Sequence, residues 1–307
     1  MTTSLPVVDG GPIVPVRLPE PERLFAARAE RLEALARGHA AGPFLELLAR
    51  VARGQHAAAR ELRAVQNESV RPEELRAVQK RSVRPEPVEG RTDERAPLDQ
   101  QRPDPAWRAA LPIILGAVKR GSLPPPAAEA IRRLEPMEPA ELERLGAAVL
   151  ALEPADPAAA PFVLAAMEVA FARRAAALDP GAVPPARTRC PVCGGPPVAS
   201  VVGGNDRLRY VSCGRCASRW HVTRVQCATC RETGGISYFE VEGALAGARA
   251  EACDGCRTYL KVFDAVERPG ADAVADDAAT IVLDLLVAER GYRRAGENPL
   301  APGGERA

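Results

Sequence analysis

The chain has 307 residues, 46% of them apolar and 26% charged. This is a globular composition, long enough for two modest cores and too long for a small disulfide-stapled domain. Forty-one Lys and Arg oppose forty Asp and Glu, and a formal charge of +1 excludes a global electrostatic attraction to nucleic acid or anionic membrane.

Thirty Pro and only 4% aromatics argue for short helices with Pro-rich connections rather than a large sandwich or barrel. No apolar run reaches the roughly 18–20 residues of a membrane span. Met1 to Leu24 has no basic start followed by an apolar stretch and no twin-arginine pair, so a cytoplasmic location is expected. Residues 1–19 read as a flexible start.

A helix is predicted over 20–37, with Pro21 in its first turn, Leu24, Phe25, Leu32 and Leu35 as its apolar stripe, and Gly38 as its stop. A second covers 43–53, ended by Gly54, and a third covers 55–65. An internal repeat follows: Glu-Leu-Arg-Ala-Val-Gln at 61–66 returns at 74–79, and Ser-Val-Arg-Pro-Glu at 69–73 returns at 82–86. A 13-residue period in two copies is too short and too few for a solenoid. Residues 67–96 are charged and Pro-bearing and read as a disordered insertion.

Further helices are expected at 105–119, 125–134, 138–152 and 157–178, which makes 20–186 a helical domain. Gly181 and Pro184–Pro185 form a linker. Strand-like runs then occupy 198–202, 208–211, 220–225, 236–241 and 259–263. Residues 187–267 are read as a metal-ribbon domain and 272–290 as a final helix within a 268–295 segment. The tail 296–307 reads as loose. The fold class is α+β: an all-α N-terminal domain, two small metal modules and a C-terminal helix.

All eight cysteines fall in four Cys-x-x-Cys pairs: Cys190/Cys193, Cys213/Cys216, Cys227/Cys230 and Cys253/Cys256, with 19, 10 and 22 residues between successive pairs. In a reducing compartment this points to metal binding more than to disulfides, with a redox dithiol system as the alternative. Two thiolates two residues apart bind one ion from a single turn, and two turns close a tetrahedral four-sulfur shell that suits zinc or iron. The eight are therefore candidate ligands for two ions. Matching neighbouring pairs closes the shortest loops, while the short middle interval also fits a nested arrangement. Gly194 after the first pair, Gly214 inside the second and Gly255 inside the fourth tolerate the positive φ that such turns often need. Each ion is expected in a ribbon of two or three strands, too small to be stable without it.

These residues also carry a resemblance. Cys-Pro-Val-Cys-Gly-Gly at 190–195, Arg-Tyr-Val-Ser-Cys-Gly-Arg-Cys at 209–216, Trp-His-Val at 220–222 and Ile-Ser-Tyr-Phe-Glu-Val-Glu-Gly at 236–243 are one part of it. Ala-Glu-Ala-Cys-Asp-Gly-Cys-Arg-Thr-Tyr-Leu-Lys at 250–261, Val-Ala-Asp-Asp-Ala-Ala-Thr at 274–280 and Asp-Leu-Leu-Val-Ala-Glu at 284–289 are the other. Together with Arg-Ala-Glu-Arg-Leu at 28–32 and Gly-His at 38–39, the chain resembles the formate dehydrogenase accessory protein family, FdhE. The resemblance implies a cytoplasmic assembly factor, not an enzyme. It would bind the molybdenum-containing catalytic subunit of respiratory formate dehydrogenase before that subunit is exported, and would carry two rubredoxin-like sites. It favours iron slightly, with zinc as the alternative, and all eight ligand positions match. The 67–96 insertion departs from the family, and Arg-Pro-Glu-Pro-Val-Glu-Gly at 84–90 resembles a translated repetitive element. It is expected to be dispensable.

Other residues are read plainly. His221 is a packing or surface histidine, because eight thiolates already fill two shells, and His39 and His56 suggest no catalysis. Asp276, Asp277 and Asp284 read as a solvated stripe, with a client-binding acidic face as the alternative. Arg189, Arg215, Arg219, Arg231 and Arg257 stand close to the cysteine pairs in sequence; they read as offsetting thiolate charge or, equally, as contacting phosphate. Residues 187–264 hold eleven basic and seven acidic side chains, too small an excess to favour a nucleic-acid-binding zinc ribbon. A rubredoxin-type electron carrier is a second alternative, weakened by the lack of a nucleotide or flavin motif. A homodimer stays open.

Overall fold

The computed structural model describes residues 13–69, 96–151, 153, 156–185, 188–241 and 245–302. Most of the expected insertion, 70–95, lies outside them. The helical part comprises α1 (Pro21–Ala36), α2 (Gly42–Ser69), α3 (Trp107–Val118), α4 (Pro125–Leu134), α5 (Pro139–Ala151) and α6 (Ala160–Ala176). Their apolar stripes meet in a core in which Phe25, Leu32, Trp107, Ile114 and Phe171 are wholly buried.

Gly54 does not end a helix. The two helices expected at 43–53 and 55–65 are one element, α2, which continues to Ser69. Gly54 is where α2 touches α3: a Cβ there would lie 2.6 Å from the Ile114 Cα and 3.2 Å from the Ala117 Cβ. The glycine permits a close helix crossing, and the packing gained outweighs the roughly 1 kcal/mol of helix propensity that it forfeits.

The second half folds into one sheet, which the N-terminal strand β1 (Val16–Arg17) joins: β2 (Pro197–Gly203), β3 (Leu208–Cys213), β4 (Arg219–His221), β5 (Ile236–Phe239), β6 (Ala248–Cys253), β7 (Thr258–Asp264) and β8 (Arg293–Arg294). Their order is β1-β4-β3-β2-β7-β6-β5, and β8 also pairs with β7. It is built from two antiparallel three-strand units, β2-β3-β4 and β5-β6-β7, joined where β2 runs parallel to β7 with Ala199 opposite Lys261. Strand β6 carries no sequence signal: Ala-Arg-Ala-Glu-Ala-Cys is poor in β-formers, and its place between β5 and β7 decides its conformation. A buried ion pair, Arg209 to Glu251 at 2.8 Å, ties β3 of the first unit to β6 of the second. The ribbons do not stand alone, because Trp220 and Phe263 belong to the same continuous core as the helices.

The acidic stripe expected on the last helix is buried instead. Asp276, Asp277 and Asp284 are 0%, 1% and 9% exposed. Each is held by cations from other elements, because an unpaired buried carboxylate is too costly to keep. Arg31 of α1 and Arg268 grip Asp276 at 2.7 and 2.5 Å. Lys261 of β7 reaches Asp284 at 2.7 Å and Asp277 at 3.1 Å. Arg294 reaches Asp277 at 2.7 Å, and the Tyr259 hydroxyl donates to Asp284 at 2.8 Å. Deeper still, the Arg28 Nη1 donates to both Glu168 carboxylate oxygens at 2.8 and 2.9 Å and its Nε donates to Asp272 at 3.2 Å, while Gln55 donates to Glu168. Burial pushes the Glu168 carboxyl up, against the pull of Arg28.

Lys261 also explains why the expected 272–290 helix is two helices, α7 (Ala275–Ala279) and α8 (Ile281–Ala288). Its ammonium takes the carbonyls of Asp277 and Thr280 and the Thr280 hydroxyl, and Thr280 leaves helical geometry at φ −117°, ψ 32°. The tail expected to be loose is packed as far as Pro302: Asn298 and Leu300 are buried, and Asn298 donates to the Val274 carbonyl and to Asp277.

Two outcomes follow from this packing. Gly54→Ala is expected to destabilise by about 1–3 kcal/mol in denaturant unfolding, despite its gain in helix propensity. Lys261→Met is expected to cost about 3–5 kcal/mol, because two buried carboxylates then share Arg294 as their one cation among the described residues; adding Asp284→Asn should recover part of that loss.

Candidate metal centre

Each cysteine pair sits on a knuckle turn with the same backbone. The residue after the second cysteine is left-handed in all four: Gly194 (φ 74°), Ala217 (φ 58°), Arg231 (φ 69°) and Arg257 (φ 56°). Its amide bonds back to the first cysteine's carbonyl in three of them, Gly194 to Cys190, Arg231 to Cys227 and Arg257 to Cys253. Glycine therefore fills the special conformation only once. Gly214 and Gly255, expected to take positive φ, do not. A Cβ at Gly214 would lie 2.7 Å from the Glu297 carbonyl oxygen, so that glycine lets the C-terminal tail cross the first ribbon. Left-handed geometry costs an L-residue about 1–2 kcal/mol, which here is borne at Ala217, Arg231 and Arg257 by the surrounding turn.

The sheet carries these turns together in two quartets. Cys190, Cys193, Cys213 and Cys216 form one, and Cys227, Cys230, Cys253 and Cys256 form the other; within each quartet all sulfurs lie within 4.8 Å of one another. The grouping joins neighbouring pairs. In the first quartet Sγ–Sγ distances are 3.6 Å for Cys190–Cys216 and 3.5 Å for Cys193–Cys213. In the second they are 3.7 Å for Cys227–Cys256 and 3.6 Å for Cys230–Cys253.

A tetrahedral ion with metal–sulfur bonds of about 2.3 Å sets its ligands about 3.8 Å apart. The separations therefore fit a four-sulfur shell and are far beyond a disulfide bond. Each quartet could hold one ion, and thiolate softness suits zinc or iron without choosing between them.

Backbone amides point at the sulfurs. The Arg215 amide donates to Cys213 at 3.3 Å, and the Thr229 amide to Cys227 at 3.4 Å. The two units repeat a further detail: Ser218 lies 3.3 Å from Cys216 Sγ, and Thr258 lies 3.0 Å from Cys256 Sγ. Burial pushes the Cys190 thiol well up. Burial opposes ionisation at Cys213 too, but hydrogen bonds from Cys190, Cys193 and Cys216 outweigh it and hold that thiol well down. Four adjacent sulfurs cannot all ionise unless a cation lies between them, which is the work a divalent ion would do here.

Of the five arginines near the pairs, Arg215 is the one turned inward. Its Nε is buried without a hydrogen-bond partner among the described residues, and burial lowers its pKa against the pull of Cys213 and Cys193. Arg189, Arg219, Arg231 and Arg257 are exposed. Arg257 lies over the Tyr292 ring at 4.1 Å. His221 packs edge-on against Tyr210, His39 bonds the Ala279 carbonyl and His56 the Glu22 carbonyl, all in structural contacts. Sequence reasoning missed the Ser218 and Thr258 contacts; the matching offset of two residues after Cys216 and Cys256 was the available signal.

Comparison with known proteins gives one family throughout. The profiles described as FdhE N-terminal, FdhE central domain and FdhE C-terminal domain match residues 13–188, 189–224 and 225–301. A protein FdhE homolog of Edwardsiella ictaluri is 35% identical over 302 residues, covering 95% of this chain and 93% of that protein. Protein FdhE of Escherichia coli is 32% identical, covering 95% and 92%. The crystal structure of the FdhE protein from Pseudomonas aeruginosa superposes with a TM-score of 0.75 at 34% identity, covering 94% of this chain and all of that one.

Proposed function

The chain belongs to the FdhE family, and on that premise we propose that it is an accessory factor of respiratory formate dehydrogenase. In this reading it binds the molybdenum-containing catalytic subunit in the cytoplasm, before that subunit is exported, and it works by binding rather than by catalysis. The observation that carries the reading is the family match along nearly the whole chain combined with both intact sulfur quartets. Among the described residues no helix is long and apolar enough to cross a membrane.

Each quartet would hold one ion, iron by family resemblance or zinc by the same donor chemistry. Such an ion would cross-link two knuckles that are far apart in sequence, and iron would add a one-electron couple. The cysteines position the ion, the knuckle amides and the Ser218 and Thr258 hydroxyls offset thiolate charge, and the sheet presents the result on one rigid frame.

A protein-binding role also accounts for an apolar surface. Ile281, Val282 and Leu285 of α8 are 47–62% exposed, and Ile281 and Leu285 face an open groove of about 810 Å³ that Phe44, Leu300 and Pro302 help to line. Exposed apolar patches of this kind mark contact surfaces, and the catalytic subunit is the occupant this reading assigns.

The test combines metal content with complementation. Cys190→Ser with Cys193→Ser should lose about one metal equivalent of two by elemental analysis and fail to restore formate dehydrogenase activity in a bacterium lacking its own family member. Full metal content in that variant would overturn the ligand assignment. Ile281→Asp with Leu285→Asp should keep both metals and the thermal transition, yet bind the purified catalytic subunit at least about tenfold more weakly in a calorimetric titration.

A further inference from the structure

The two quartets share a backbone and differ in cover. Cys190, Cys193, Cys213 and Cys216 are at most 2% exposed, and all four belong to the main apolar core. Their knuckle is also strapped from outside: the Leu98 amide bonds the Val192 carbonyl and the Gln100 amide bonds the Cys193 carbonyl, with Leu98 itself buried. The tail carbonyl of Glu297 closes over Gly214.

Nothing comparable lies over the second quartet among the described residues. Cys227 and Cys253 are buried, but Cys230 and Cys256 are half-buried, and none of the four joins an apolar cluster. Residues 231–235 are exposed after Cys230, and Asp254, Gly255 and Arg257 are exposed around Cys256.

This difference decides how an ion could leave. Ligand exchange at a four-sulfur shell needs an incoming donor to reach the ion or its sulfur. At the first quartet that requires opening the core, an excursion with a large free-energy cost; at the second a donor can approach Cys230 or Cys256 from solvent with the fold intact.

We propose that the second quartet is the exchange-competent metal site of this protein, delivering its ion to, or accepting it from, an external thiol ligand, and that the first quartet is a permanent structural site. The proposal rests on the metal reading above. In the exchange step the bond from the ion to Cys230 Sγ breaks and a bond to the incoming sulfur forms. The proton of the incoming thiol passes to the Cys230 thiolate, and no electron is transferred.

The test uses the full-length protein loaded with zinc and mixed with excess chromophoric chelator. Release is expected in two phases of equal amplitude, with rates at least about tenfold apart. Brief iodoacetamide treatment after the fast phase should label Cys227, Cys230, Cys253 and Cys256, read by peptide mass spectrometry, and spare the first four. Cys230→Ser should abolish the fast phase and keep the slow one. Two equivalents released in a single phase, or early labelling of Cys190, Cys193, Cys213 or Cys216, would overturn the proposal while leaving the metal reading standing. A protein that retains no zinc after loading would overturn both. The labelling arm needs no variant, so it decides the matter even if Cys230→Ser fails to fold.

Discussion

A carboxylate taken out of water has to be met by a cation, and that requirement, through Arg28 and Arg31, adds to the shared apolar core in joining the two halves of this chain. Helices α7 and α8 follow the last cysteine pair and carry Asp276, Asp277 and Asp284 inward. The cations that meet them come from α1, from β7, from the turn holding Arg268 and from β8. Arg28 extends the same layer to Glu168 in the middle of α6. Such pairs add little net stability over an apolar interface, because desolvation offsets most of the Coulomb gain. They do penalise every arrangement in which a charge is left unpaired, so one docking of helices on sheet is selected.

On that frame the metal-binding half is a repeated device. Each unit brings a first knuckle, a strand, a central strand running into a second knuckle, and a strand leading out. The hydroxyls of Ser218 and Thr258 stand at equivalent places, and the parallel pairing of β2 with β7 turns two units into one sheet. The backbones are equal and the surroundings are not: one quartet is enclosed by the helical core, and the other keeps an open side.

Much of the candidate site was legible because its signal is local. Two cysteines separated by two residues, repeated four times with none left over, point to metal knuckles, and the shortest-loop argument pairs the knuckles as the structure does. The positions of α1, α3, α4 and α6 were legible for the same reason, since hydrophobic period and Pro-bearing breaks act within a few turns. Gly54, the charged stripe and the tail were misread because identical residues serve opposite roles. A glycine stops a helix or admits a neighbour, and three aspartates solvate a face or neutralise buried cations; only what lies opposite them decides.

The amino-acid sequence by itself determined the helical first half, the four knuckles and the family, because each depends on residue types at short fixed spacings. Tertiary structure alone decided that β6 is a strand, that Thr280 breaks the last helix, that Asp276, Asp277 and Asp284 are buried, and that one quartet is enclosed while its twin is open. Those outcomes depend on contacts between residues up to some 240 positions apart, such as Arg31 with Asp276, and no local pattern in the chain encodes such distant meetings.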